Sequence, residues 1–317
     1  MSEKFKAHEL ETGLLQRVRS WREVFPPLGL LPALRVAGSP FFITLWLVTV
    51  LAIATFPASD EVRLPGAGLP SIHPIAACFI PLVILFPATM TMRAGALYAA
   101  SRDNDSFIAH ARLISGRIVT LLLVLILPWV CVVGLSVPVF GLGLLDRIPG
   151  FGDASSEVAA VVALPIILLL GMIATGAIVA IPIGWASVAI EKRCDAFDAL
   201  SRGFEYLYRR PVQFAVYGVT GALLSALVGV IAYAVAWAAN VITMPVYAIA
   251  SGGKSLPFVV TTSLAAIPFA AVACTWFATF GATYLMLRYD ANDQEIEDVV
   301  VSAVDRKSKE LPTLKNP

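Results

Sequence analysis

Seven clusters of lysine and arginine, parted by six long apolar runs, decide what this chain can fold into. In chain order the clusters hold 6, 1, 4, 1, 5, 1 and 5 basic residues. Basic residues collect on the cytoplasmic side of a membrane because short basic loops resist translocation. The rich/poor alternation therefore predicts six spans with both ends cytoplasmic. Their expected limits are about 41–56, 74–92, 118–145, 158–190, 212–237 and 259–287. No charged residue occurs from Pro211 to Gly253. Two spans there would put the basic tail outside, so the charge pattern favours one span followed by an apolar outer segment, 238–258. That segment is re-entrant, interfacial or a seventh span.

Composition excludes the soluble alternatives. The chain is 58% apolar and only 14% charged, against roughly half and a quarter in soluble domains. No alternating strand pattern exists, and only helices then satisfy the backbone in lipid. The expected fold is an all-α polytopic bundle of six transmembrane helices with interfacial amphipathic helices. Its parts are a cytoplasmic amphipathic N-terminal segment (1–39), the membrane domain (40–289) and a flexible cytoplasmic tail (290–317). No cleavable signal peptide is expected, because the first forty residues are too charged for one. The net charge of +1 hides a strong local asymmetry and says nothing about nucleic acid, but a nucleic-acid binder would show a basic domain face, and none is expected here.

Residues 9–25 have helical periodicity, with Leu10, Leu14, Leu15, Val18, Trp21 and Phe25 on one side and Arg17, Arg19 and Arg22 toward the other. Such a helix suits either the membrane surface or the protein's own loops. The two richer internal basic loops contain a repeat. Asp105-Ser-Phe107-Ile-Ala-His-Ala-Arg112 aligns with Asp195-Ala-Phe197-Asp-Ala-Leu-Ser-Arg202, giving Asp-x-Phe-x-Ala-x-x-Arg twice, ninety positions apart. Each copy lies between two spans in the same orientation, as expected for a parallel duplication. Asp105 and Asp195 are placed as N-caps. In the second copy Phe197, Leu200, Phe204, Leu207 and Tyr208 form an apolar face, and Asp198 pairs with Arg202 across one turn. Each loop is thus expected to hold a short interfacial helix, over 104–114 and 195–210. These helices either set hairpin geometry or offer a docking platform.

The stretch from Asp195 to Pro211 resembles the cytoplasmic-loop motif of uncharacterised bacterial multi-pass proteins, including the glycerophosphoryl diester phosphodiesterase membrane-domain group. The end of the last span, Tyr284-Leu-Met-Leu-Arg-Tyr-Asp, is similar to planctomycete-type membrane proteins. The resemblance implies membrane helices with interfacial loop helices. It implies no reaction, because the phosphodiesterase name belongs to a separate catalytic domain.

Signatures of chemistry are weak. No span carries an ionisable residue near its middle, which argues against coupled transport. Arg93, Glu191 and Arg288 sit at span ends, where long side chains are expected to snorkel. Ser251-Gly-Gly-Lys-Ser255 looks like a phosphate loop, but Ala248 stands where the first glycine belongs. Asp290 to Glu295 fails as a calcium loop for want of the central glycine and the final glutamate. His8, His73 and His110 are isolated, and Cys78, Cys131, Cys194 and Cys274 have no metal or disulfide spacing. No catalytic, cofactor or metal residue is assigned. Small residues recur every four positions at Gly176, Ala180 and Gly184 and at Gly221, Ser225 and Gly229. This spacing lets membrane helices approach, so the fourth and fifth spans are expected to pack through these stripes, with homo-oligomer contact as the alternative.

The expected protein is a non-enzymatic component of a bacterial inner membrane, serving scaffolding, assembly or envelope organisation. Its expected partners are anionic lipid headgroups, with a second copy or a cytoplasmic protein as alternatives. The competing function is a small-solute transporter or channel whose helices break at prolines such as Pro87, Pro128 and Pro182.

Overall fold

The computed structural model describes residues 25–54, 74–102, 105–145, 152–192 and 194–292. All the regular structure among them is helical. The order is a 3-10 helix, Pro26–Val36, then α1 (Pro40–Ala54), α2 (Pro74–Ala99), α3 (Phe107–Ser115), α4 (Ile118–Leu145), α5 (Gly152–Ile190), α6 (Ala196–Arg209), α7 (Pro211–Ala250) and α8 (Phe258–Asn292). Five helices, α2, α4, α5, α7 and α8, are long and apolar enough to cross a membrane. A sixth crossing exists if the 3-10 helix and α1, bent 80° from one another, count as one. The chain is a multi-pass helical bundle. The expected helix at 9–25 and nearly all of the tail lie outside the described residues.

Two boundaries move. The expected N-terminal segment ran to residue 39, but the 3-10 helix packs against α2 and α8. Three residues per turn put every third residue on one face, and Pro27, Leu30, Ala33 and Val36 are buried, with Gly29 buried beside them. The fifth span was expected to stop at 237. Instead α7 is one helix of 40 residues, passing through Pro245 to Ala250, about 60 Å at 1.5 Å per residue. No charge occurs between Pro211 and Ser251, and the helix continues through Pro245 without ending there. Gly252 and Gly253 then close it, with φ of 71° and 93°, and the Gly253 N–H donates to the Ala248 carbonyl at 2.7 Å. This is the six-to-one bond of a helix C-cap in which glycine supplies the left-handed turn. The Gly-Gly-Lys sequence is that turn.

The protein core sits at one end of the bundle, where α3 and α6 connect the spans. In α5, burial is concentrated from Ala177 to Ile190, and in α4 from Leu121 to Pro128. Beyond them, Trp129, Val133, Val137, Val161 and Leu168 are exposed. Lipid is as apolar as leucine, so membrane helices need not bury their outer surfaces on each other. The chain's last helix is the centre of this core: α8 packs on the 3-10 helix, α1, α2, α5 and α7. Its closest approach is to α2. A Cβ on Gly95 would fall on the Ala278 carbonyl, and one on Gly281 on the Met92 carbonyl. Trp46 of α1 stacks on Phe277, with ring centres 5.0 Å apart. Its indole N–H donates to Thr91 Oγ1 at 2.9 Å.

The two small-residue stripes do not pair with each other. Gly221 lies against Thr279 and Gly229 against Val272, so the α7 stripe faces α8. The α5 stripe faces α6 instead. A Cβ on Gly176 would meet Phe204 at 2.5 Å, and one on Gly203 would meet the Ala180 carbonyl at 2.7 Å. Gly184 is covered by Val124 of α4 and by Ala199. The expected contact between the fourth and fifth spans is thus replaced by a span-to-loop-helix contact. The loop helix α6 follows α5 after a short connection and lies along the stripe.

Candidate functional site

The polar residues that could carry function are gathered where α2, α5 and α8 end, around α3 and α6. α5 ends at Ile190 and leaves its last carbonyls without helical partners. Arg117 donates to the carbonyls of Val188, Glu191 and Lys192. Arg93 donates to that of Ala189 at 3.1 Å. Cations at the negative end of a helix are favourably placed. Both arginines come from the first half of the chain, so they tie it to the second.

Arg93 also forms an ion pair with Asp105 at 2.6 Å, with side chains 0% and 2% exposed. Arg288 is 2% exposed. Snorkelling was expected of both and is not observed. Each points into protein, and for Arg93 a carboxylate and a carbonyl replace its hydration. His110, fully buried beside this pair, has its ring against Phe42. Burial, with help from Arg93, lowers its pKa to about 4, so it is neutral at pH 7.

The repeat residues take different roles in the two copies. Asp195 is the N-cap of α6, accepting from the Asp198 N–H at 2.7 Å. Asp105 is not the cap of α3. Ser106 takes that place, accepting from the Ala109 N–H at 3.4 Å, and Asp105 is drawn to Arg93. Arg112 is exposed. Arg202 instead grips Asp198 through two nitrogens, at 2.8 and 3.3 Å, and pairs with Glu191. Phe107 lies 4.0 Å from Phe41 of α1, centre to centre, whereas Phe197 is 70% exposed. The predicted apolar face of α6 is also redistributed. Ala196, Ala199, Leu200, Gly203 and Tyr206 are buried, and Phe204 and Tyr208 lie over Gly176.

Around Arg202 a network was not foreseen. Tyr284 of α8 donates to Glu191 and lies 3.2 Å from Ser187 Oγ, which in turn lies 3.2 Å from Cys194 Sγ. The single sequence hint is Glu191, a short acid at a span end among basic residues. Its partners are 11 and 93 positions away, beyond any local pattern.

Glu191, Cys194 and Asp198 place three ligand-type atoms within 4.8 Å of one another. The donor set does not fit a metal. The Arg202 guanidinium already pairs with both carboxylates, and burial pushes the Cys194 thiol up to about 11, away from the thiolate a nucleophilic reaction needs. The arrangement works as a clasp joining α5, α6 and α8.

No family model matches the chain, and neither a curated protein nor a solved structure does.

Proposed function

We propose that the protein is a non-enzymatic scaffold of a bacterial inner membrane, with the α3/α6 end facing the cytoplasm and anionic lipid. The observation that carries this reading is how the charged groups at that end are used. Arg93, Asp105, Glu191 and Arg202 are engaged in holding helices to one another, and Asp198 braces Arg202 within α6. An active site or transport pathway keeps some ionisable groups poised for a substrate. The backbone contact of α2 with α8 likewise leaves no passage between those two helices. The rival, a carrier built on broken helices, loses its motive, because α2, α4 and α5 run through Pro87, Pro128 and Pro182.

Two measurements test the reading. Cysteines placed at Arg112 and Arg209, in a chain otherwise without cysteine, should react with an impermeant maleimide only after permeabilisation, and one at Lys254 before it. Reversed labelling would overturn the orientation. Reconstituted protein should leave vesicle permeability to small neutral and anionic solutes at the protein-free rate. A saturable flux would replace the scaffold with a transporter.

A further inference from the structure

We propose that α7 and its partner α8 cross the bilayer as a leaning hairpin, with the far end of α7 sheathed in the acyl chains of the leaflet opposite α3 and α6. This arrangement holds whichever face of the bilayer is cytoplasmic.

Charges mark both ends of α7. Arg209 and Arg210 precede it, and Lys254 is the single charge between Arg210 and Arg288. Arg209 and Lys254 are exposed, and exposed charges stay out of hydrocarbon. The arginines hold one end of α7 at a headgroup layer, and Lys254 keeps the turn after it at or beyond the other. All 40 residues of α7 are uncharged. Upright, about 60 Å of helix would outrun a bilayer of about 40–45 Å, headgroups included, by about 15–20 Å. α4 has no such excess. Its 28 residues, about 42 Å long, lie between Arg117 and Asp146 in the sequence.

The surplus end of α7 shows what covers it. Of residues 241–250 none is buried and eight are exposed. Val241, Ile242, Met244, Val246 and Ile249 are each at least half exposed, Ile249 at 85%. Phe258 and Val259, where α8 begins, are also open. An apolar surface of this extent is unfavourable in water. A second copy would cover one face and leave the others wet. A helix that is apolar all round belongs in lipid when no protein surrounds it. Spans longer than their bilayer respond by tilting. An axis about 40–60° from the membrane normal fits the whole of α7 between the two surfaces. Lys254 then reaches the headgroups through its methylene stem.

The test uses the full chain, otherwise without cysteine, in dioleoyl phosphatidylcholine–phosphatidylglycerol vesicles. One nitroxide at a time is attached through a cysteine at Val219, Leu223, Leu227, Val230, Val235 or Ile242, all more than half exposed. Collision with dissolved oxygen and with an aqueous nickel chelate gives the depth of each label. All six should meet oxygen and be shielded from nickel, while a label at Ser255 should meet nickel. Depth should advance by about 1 Å per residue along α7, against about 1.5 Å for an upright helix. An upright gradient with nickel access at Ile242 would stand the hairpin in water and overturn the lean. An upright gradient with Ile242 shielded would mean that the bilayer thickens around the hairpin, and would overturn the lean as well. A label at Ile242 that meets neither probe would place protein there and overturn the lipid contact. A reversed maleimide pattern, which refutes the orientation, would leave these collisions unchanged.

Discussion

The two loop helices begin from one sequence pattern and end as different devices. α3 is joined to the span before it through the motif's aspartate, since Asp105 pairs with Arg93 at the end of α2. α6 is joined through the motif's arginine, since Arg202 pairs with Glu191 at the end of α5. The charges have changed sides. What the pattern preserves is a short helix returning to its own span, with whichever charge the span end lacks. The first pair is wholly buried. The second is partly open, with Arg202 at 22% exposure, and so has water as a competitor.

That contrast predicts unequal costs. Arg93→Ala strands a buried carboxylate and should cost about 3–5 kcal/mol, read as a large fall in Tm in detergent. Arg202→Ala should cost less, about 1–3 kcal/mol. Equal losses would mean that burial does not distinguish the copies.

The next test uses the residue where the copies differ most. His110 aligns with Leu200, and both are buried. The folded pKa of His110, about 4, lies below its unfolded value. Between pH 6.5 and 4 the unfolded chain therefore binds the extra proton, and stability falls as pH falls. Its share reaches on the order of 3 kcal/mol by pH 4. His110→Leu, which installs the second copy's residue, should flatten the acid side of the Tm–pH profile. An unchanged slope would mean that other groups set it.

A smaller effect separates the helices by their glycines. Gly203→Ala pushes a methyl into the Ala180 backbone and should cost about 1–3 kcal/mol. Gly116 closes α3 with an ordinary right-handed φ of −66°, and the nearest atom to an added Cβ is 3.4 Å away. Gly116→Ala should be neutral or gain a few tenths of a kcal/mol.

The membrane class, the approximate spans and both loop helices were legible because each depends on local composition. Charge marks the span ends, and a cap residue followed by a 3.6-residue period marks α3 and α6. The small-residue stripes were legible as surfaces but not in their partners. Nothing within Gly176 to Gly184 says whether a span or a loop helix will fill it. The same limit hid the Glu191–Arg202–Tyr284 network, which exists only once α8 has packed. Asp105 was misread for a related reason: a capping position is local, but a buried arginine twelve residues earlier outbids it.

Because α8 lies at the middle of the packed core, the order of synthesis matters. A ribosome delivers the earlier crossings before their common neighbour exists. Until it arrives, Gly95, the stacking face of Trp46 and the stripe on α7 lack their protein neighbour. Assembly must then be completed after insertion, by a segment that recruits helices already waiting in the bilayer. A nascent chain stalled before residue 258 would be threaded but loose.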